Sequence, residues 1–164
     1  MKTLMILRHA KSSWKEEHLS DHDRPLNKRG RRDAPKMGEL IGKKGLQPQL
    51  IICSGAKRAR ETVELVTSAF GYKGELRFSE ELYAAASAAY ISVLKELDDR
   101  YERVMVVGHN PGLEEMLEGF TKEEQTLPTA ALAQVALPIQ KWQELKGSTD
   151  GRLTDLWVPR QLSE

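Results

Sequence analysis

The sequence has 164 residues, enough for one domain with a substantial core, and we expect a single domain over residues 1–164. Its composition, with 40% hydrophobic and 30% charged residues, is typical of a soluble globular protein. The formal net charge of +1 and the lack of any apolar run near the roughly 20 residues of a bilayer span argue against nucleic-acid and membrane partners, so we expect a cytoplasmic protein.

Short apolar runs predict the strands of a sheet that is covered on both faces. Continuous runs lie at residues 3–8, 49–54 and 104–108. A further strand is expected to end near Phe78. In the C-terminal third, residues 132–138 and 152–159 alternate enough to be strands nearer the sheet edge.

Amphipathic segments between these strands predict helices. They lie at about residues 28–44, 56–70, 88–98 and 111–118. Asn27 suits the N-cap of the first helix and Gly45 its end, while Pro35 either bends this helix or marks its first turn. Pro111 suits the first turn of the last helix. The alternation of strands and helices predicts an α/β fold, a three-layer α/β/α arrangement with a mostly parallel central sheet.

Charged and polar residues follow three of the predicted strands at the point where each strand ends. Arg8 and His9 follow the first strand, Ser54 ends the second, and His109 comes directly after the third. Arg58 falls in the first turn after the second strand. Because ligands of open α/β sheets bind beyond the carboxyl ends of the strands, we expect these residues to meet at one edge.

Two arginines and two histidines at one edge indicate an anion site with its own nucleophile. Guanidinium groups hold two oxygens of a phosphate at once, and an imidazole serves as nucleophile or proton carrier near neutral pH. A phosphoryl group fits best, because its transition state spreads negative charge over three oxygens. We expect no metal and no cofactor, since arginines are poor neighbours for a cation and no H-x-H spacing occurs. The one H-x-x-x-H spacing, between His18 and His22, is interpreted as a pair of loop residues and not as metal ligands.

Other residues with reactive or charged side chains are interpreted as structural. Cys53 is the only cysteine, so it forms no internal disulfide, and it ends a buried strand. The basic runs at 28–32 and 57–60 are interpreted as solvated helix faces, because neither is interleaved with aromatic residues. Asp21, Asp23 and Arg24 are charged neighbours of the site entrance, and are interpreted as a solvated loop in which Asp23 and Arg24 hold the turn before Pro25-Leu26, with a catalytic role as the alternative. His18 and His22 are interpreted as loop residues.

Five motifs follow one another over roughly residues 3–112. They are R-H-A-K-S-S-W (8–14), D-H-D-R-P-L-N-K-R-G (21–30), S-G-A-K-R-A-R-E-T (54–62), E-E-L-Y (80–83) and V-V-G-H-N-P-G (106–112). In combination and order they resemble the histidine phosphatase superfamily, the phosphoglycerate-mutase-like fold. They are most similar to its short bacterial branch, the SixA-type phosphohistidine phosphatases. Ala10 stands where the RHG signature of the wider family more often has glycine.

The resemblance implies a role for each matching position. His9 would be the nucleophile that becomes phosphorylated, and Arg8, Arg58 and His109 would complete the phosphate pocket. Ser12 stands where the wider family often has Thr or Ser, and would donate a hydrogen bond to the phosphate.

Two further positions leave alternatives open. Asn110 either contacts the phosphate or shapes the Asn-Pro-Gly turn. Glu81 is the best positional match for the acid that protonates an alkoxide leaving group in larger relatives, with Glu80 beside it. A phosphohistidine substrate relaxes that requirement, because imidazole leaves more easily than an alkoxide. The short connection at residues 79–87 also leaves little chain to cover the pocket. An open pocket favours a phosphorylated side chain of another protein as the substrate.

These observations predict a cofactor-independent phosphatase that acts through a phosphohistidine intermediate on phosphohistidine of a partner protein. The alternative within the superfamily is a small-molecule phosphomonoesterase. The alternative from another class is a non-catalytic module that binds phosphoproteins. The presence of His9, Arg8, Arg58 and His109 together favours catalysis over binding alone.

Overall fold

A computed structural model describes residues 1–162 and contains one sheet of six strands. The strands are β1 (Lys2–Arg8), β2 (Leu50–Ser54), β3 (Glu75–Ser79), β4 (Arg103–Gly108), β5 (Leu132–Leu137) and β6 (Arg152–Trp157), in the order β3-β2-β4-β1-β5-β6. Strands β1 to β4 are parallel, whereas β5 and β6 each run antiparallel to their inner neighbour. The predicted mostly parallel α/β sheet is therefore confirmed.

Helices cover both faces of the sheet. They are α1 (Lys28–Lys44), α2 (Lys57–Phe70), α3 (Ser87–Lys95) and α4 (Gly112–Thr121). Met37 of α1 and Val63 of α2 belong to the same buried cluster as Met5 of β1. Leu4 belongs to the opposite cluster, together with residues of α3 and α4 such as Leu117. Because successive strand side chains point to opposite faces, β1 contributes to both clusters and forms the middle layer.

The first helix begins and ends where its sequence indicates. The side chain of Asn27 accepts a hydrogen bond of 2.9 Å from the Gly30 amide, and Gly45 has a positive φ of 64° that suits glycine. Pro35 lies inside α1 and not in its first turn, so the carbonyl of Arg31 lacks an i+4 amide partner. Helix α3 ends at Lys95, earlier than predicted. The amide of Glu96 bonds to the carbonyls of Val93 and Leu94, which closes a tighter turn than an α-helical one.

The strand order brings three strand ends together. Strand β4 lies between β1 and β2, with Arg8 of β1 opposite Gly108 of β4 and Cys53 of β2 opposite Val107. These strands are parallel, so their carboxyl ends meet at one edge, with the loop after each strand on the same side. Among residues 1–162, none of the helices combines the length and the apolar character that crossing a bilayer demands.

Candidate active site

The two histidines predicted from the strand ends lie side by side. The ring centroids of His9 and His109 are 5.1 Å apart, with their planes tilted by 54°. Both side chains are buried, and both line a cavity of about 230 Å³ together with Arg8 and Arg58. The structure therefore brings together the four residues that the sequence assigns to a phosphate pocket.

The contacts of His9 determine which ring nitrogen is free. Its Nδ1 lies 2.7 Å from the carbonyl oxygen of Ala10, and a carbonyl can only accept, so Nδ1 carries the hydrogen. The lone pair is then on Nε2. Burial lowers the pKa of His9 to about 3, and the charges of Arg58 and Arg8 act in the same direction. His9 is thus a neutral imidazole near pH 7, the form in which histidine is a nucleophile.

Thr62 connects the loop of His9 to the turn that carries Arg58. Its hydroxyl accepts a 2.9 Å hydrogen bond from the Ala10 amide and donates one of 2.7 Å to the carbonyl of Arg58. Thr62 is fully buried at the interior side of α2. A single hydroxyl therefore fixes the nucleophile and the pocket arginine relative to each other, although the two lie far apart in the sequence.

His109 is oriented by the serine at the end of β2. Its Nε2 lies 2.8 Å from Oγ of Ser54, which also accepts a hydrogen bond from the amide of Ala56. The contact with Ala56 leaves the hydroxyl hydrogen of Ser54 free to be donated to Nε2, and in that arrangement the imidazole hydrogen of neutral His109 is on Nδ1. Burial lowers the pKa of His109 to about 4, with Arg58 contributing in the same direction. His109 is a neutral donor at this edge.

Several donors of the pocket have no partner within residues 1–162. The buried atoms concerned are Nε of Arg8, Nε of Arg58 and Nδ1 of His109. Buried N–H groups are normally paired, so three such groups around one cavity are suited to the oxygens of an anion. Arg8 is anchored by a 3.0 Å hydrogen bond to the carbonyl of Leu127. Within the described part of the chain, no cluster of three or more His, Cys, Asp or Glu side chains is arranged to hold a metal ion.

Ser12 and Asn110 line the same cavity. Oγ of Ser12 accepts a 2.8 Å hydrogen bond from Arg24, which leaves its own hydrogen available to a ligand. The amide nitrogen of Asn110 donates to the carbonyl of Leu127 at 2.8 Å, and its Oδ1 is buried without a partner in residues 1–162. The same carbonyl thus positions Asn110 and Arg8, a connection that the sequence does not indicate.

Asp21 bonds directly to the pocket, which its interpretation as a solvated loop residue missed. Its Oδ2 accepts hydrogen bonds from Arg58 at 3.0 Å and from the Tyr83 hydroxyl at 2.7 Å. The bond from Tyr83 lowers the pKa of Asp21 to about 2, and the charge of Arg58 adds to this effect. Arg24 also donates to Asp21 and is buried, so the prediction of a solvated Arg24 is wrong. The motif D-H-D-R marked these positions without indicating their contacts.

Glu81 does not lie with the other predicted site residues. It is exposed on the short turn Glu80–Leu82, where Leu82 is the residue that enters the core. It is not among the residues that line the 230 Å³ cavity or the neighbouring cavity of about 450 Å³ at Tyr83. Its neighbour Glu80 accepts from His22 at 2.9 Å. Cys53 is fully buried, and burial raises the pKa of its thiol, in line with a structural role.

Comparison with known proteins identifies relatives of this chain. The family model of the histidine phosphatase superfamily (branch 1) matches residues 4–83. A crystal structure from Agrobacterium tumefaciens, provisionally assigned as a phosphohistidine phosphatase SixA, has 30% sequence identity and a TM-score of 0.84, covering 96% of this chain and 98% of that one. The protein histidine phosphatase SixA in complex with tungstate has the same fold, at a TM-score of 0.83 and 20% identity over 98% of this chain and 99% of that one.

A sequence relative extends the similarity over nearly the whole chain. An uncharacterized chloroplastic protein of Arabidopsis thaliana is 34% identical over 171 aligned positions, which cover 95% of this chain and 77% of the relative. The family match contains Arg8, His9 and Arg58. The chain therefore belongs to the histidine phosphatase superfamily.

Proposed function

We propose that this protein hydrolyses phosphohistidine on a partner protein through a phosphoenzyme formed on His9. The observation that carries the proposal is the contact between Nδ1 of His9 and the carbonyl of Ala10 at 2.7 Å. It leaves the lone pair of a neutral imidazole on Nε2, in a cavity lined by Arg8 and Arg58. A nucleophile held in one tautomer next to unpaired guanidinium donors is suited to attack on a phosphoryl group.

In the first step, Nε2 of His9 attacks phosphorus. The P–Nε2 bond forms as the bond from phosphorus to the substrate nitrogen breaks, and the hydrogen stays on Nδ1, donated to the Ala10 carbonyl. The phosphoryl oxygens would be held by side-chain donors of Arg8, Arg58 and His109, which line the cavity of His9. In the second step, water attacks phosphorus, the P–Nε2 bond breaks, and inorganic phosphate leaves with neutral His9 restored.

The ionised state of Asp21 supports a P–N substrate over an alkyl ester. Asp21 is the carboxylate bonded to the pocket, and its pKa of about 2 keeps it ionised near neutral pH. Glu81 is exposed on its turn. A phosphorylated imidazole whose second nitrogen is protonated departs as a neutral ring, so no protein acid has to supply a proton. An alkoxide leaving group requires a protein acid that supplies a proton.

The short connection over the site supports a protein substrate. Only residues 80–86 join β3 to α3, and they contribute Tyr83 and three alanines to the cavity wall. Such a segment is too short to enclose a small molecule, whereas a side chain projecting from another protein needs an accessible pocket. The structural relative from Agrobacterium tumefaciens is assigned as a phosphohistidine phosphatase, and the relative bound to tungstate is a protein histidine phosphatase, which agrees with this substrate class.

A phosphate-release assay tests the proposal. It compares a phosphohistidine-bearing carrier protein with a panel of alkyl phosphates and sugar phosphates, with and without a chelator. We expect faster release from phosphohistidine, unchanged by the chelator, because Arg8 and Arg58 neutralise the charge that Mg²⁺ neutralises in kinases. Preferential release from a sugar phosphate would support a small-molecule phosphomonoesterase, and release from none of the substrates would support a binding module.

A further inference from the structure

Trp14 lies beside the phosphate pocket with most of its ring exposed. Its exposed fraction is 71%, the largest among the large hydrophobic side chains of residues 1–162. By contrast, Trp142 is fully buried in the core. Trp14 nevertheless lines the same cavity as His9 and Arg58. Because a large aromatic side chain stabilises a fold mainly when it is buried, core packing does not explain a tryptophan at this position.

One face of the Trp14 ring is covered by a guanidinium group that is itself fixed. The Cζ atom of Arg24 lies 3.4 Å from the ring centroid, in a cation–π contact. Arg24 is 8% exposed and donates to Oγ of Ser12 at 2.8 Å and to Oδ1 of Asp21 at 3.1 Å. The amide of Ser13 bonds to the carbonyl of Pro25, which holds the loop before the ring. The indole is therefore supported on one side, and its exposure leaves the other side accessible.

The contacts of Arg24 connect this ring to the pocket. Ser12 lines the cavity of His9, and Asp21 bonds to Arg58. The ring is thus positioned by the same residues that surround the phosphoryl site, and it does not project from an unrelated surface. An aromatic face fixed next to a phosphoryl site can stack with a planar group attached to that phosphoryl group.

We infer that the open face of Trp14 is a stacking platform for a planar aromatic leaving group. The inference rests on the proposed function and narrows it: the preferred substrates carry the phosphoryl group on an imidazole or another aromatic ring. Stacking holds the departing ring beside the pocket while the bond from its nitrogen to phosphorus breaks and the bond from phosphorus to His9 forms. Trp14 would then determine specificity for the leaving group, while His9 remains the residue that forms the bond to phosphorus.

The test compares selectivity within pairs of small compounds that have the same type of scissile bond, one with a planar leaving group and one without. The intrinsic reactivities of the two compounds are the same for every variant, so they cancel when the ratios of the variants are compared. Phosphoimidazole and phosphoramidate both have a P–N bond, and phenyl phosphate and ethyl phosphate both have a P–O bond. We expect Trp14→Leu to lower the ratio of kcat/KM for phosphoimidazole over phosphoramidate about tenfold, the scale of one ring stacked on an aromatic side chain. Trp14→Phe should retain most of the ratio, because it keeps an aromatic face.

Phe78→Leu is the matched control. Phe78 is also an exposed aromatic residue, 50% accessible and 5.5 Å from the Cζ of Arg60, but it lies outside the cavity of His9. Its removal should leave the ratio unchanged. An unchanged ratio in Trp14→Leu would overturn the platform. A decrease in kcat/KM that occurs only with a phosphohistidine-bearing protein would also overturn it, because Trp14 would then be a docking contact for the partner protein.

Failure of the proposed function is distinguishable from failure of the platform. If the wild-type protein cleaves neither P–N compound but cleaves phosphate esters, the phosphohistidine substrate is wrong. The ratio of phenyl phosphate to ethyl phosphate then still tests Trp14. A ratio that falls in Trp14→Leu and not in Phe78→Leu supports the platform, and a ratio that falls in neither or in both contradicts it.

Discussion

Nε2 of His109 lies 2.8 Å from Oγ of Ser54, and this one contact joins the carboxyl ends of two neighbouring strands. When Ser54 is the donor in this contact, the hydrogen of His109 is on Nδ1, the nitrogen that has no partner within residues 1–162. The role of the serine is to orient another side chain, because its hydroxyl is already shared between His109 and the amide of Ala56.

Replacing Ser54 by alanine should therefore weaken catalysis without unfolding the protein. We expect Ser54→Ala to lower kcat about tenfold, the equivalent of one hydrogen bond, because either nitrogen of His109 can then carry the hydrogen. Ser54→Thr keeps the hydroxyl and should recover part of the loss. Nitrogen-15 NMR of the imidazole should show the Nδ1–H tautomer in the wild type and a mixture in Ser54→Ala. A single unchanged tautomer in the variant would contradict this role.

The nucleophile prediction concerns His9. Rapid quenching with labelled substrate should trap phosphate on His9 that is labile in acid and stable in base. His9→Ala should lower turnover on the order of 10³-fold or more, the scale seen when a nucleophile is removed from a site that retains its donors. Far-UV circular dichroism checks that the variant is folded. Turnover by a folded His9→Ala protein at the wild-type rate would refute the phosphoenzyme.

Arg58 is predicted to stabilise the transition state. Arg58→Ala should lose roughly 3 kcal/mol of this stabilisation, corresponding to a decrease in kcat on the order of 10²-fold. Arg58→Lys should recover only part of the loss, since an ammonium group lacks the planar fork that holds two oxygens. Steady-state kinetics on a phosphohistidine substrate measure both variants. If both variants are as active as the wild type, Arg58 does not hold the phosphoryl group.

Glu81 is predicted to be dispensable for cleavage of a P–N bond. Glu81→Gln should change the hydrolysis rate of phosphohistidine by less than about twofold, because the imidazole leaving group needs no acid and the side chain is exposed. Glu80→Gln, in the same turn, is the matched control. Efficient cleavage of a sugar phosphate that disappears in Glu81→Gln would instead identify Glu81 as a general acid and argue for a P–O substrate.

Acid should destabilise the fold through the two buried histidines. Their pKa values are lowered to about 3 for His9 and about 4 for His109, against about 6.5 in an unfolded chain. At a pH between the lowered pKa of each histidine and about 6.5, that histidine is protonated in the unfolded chain and neutral in the folded chain. The stability from keeping both rings neutral is thus complete above pH 6.5 and is lost as the pH falls toward 4 and then 3.

Urea unfolding at pH 7 and pH 5 measures this effect. The wild-type free energy of unfolding should decrease by roughly 4 kcal/mol more than that of a His9→Asn/His109→Asn double variant, which has no imidazole to protonate in the pocket. Each single variant should lie between the two. Equal decreases in the wild type and the double variant would show that the histidines are not kept neutral in the folded protein.

The sequence alone predicts the parts of this protein that depend on local helix capping and on the direction of the strands. Residues at the ends of parallel strands must share an edge, so Arg8, His9 and His109 were predictable once the strands were recognised. Helix α1 followed from its local capping residues, since Asn27 and Gly45 act within one turn of their own positions.

Only the tertiary structure decided which loop side chains reach the pocket. The bonds of Asp21 to Arg58 and to Tyr83 join residues that lie far apart in the sequence, so no local pattern predicts them. Glu81 points outward because Leu82 of the same short turn is buried. Trp14 faces the cavity because Arg24, itself held by other loop residues, fixes its ring. These orientations depend on hydrogen bonds and burial between segments that are distant in the sequence. A local sequence pattern does not predict such contacts.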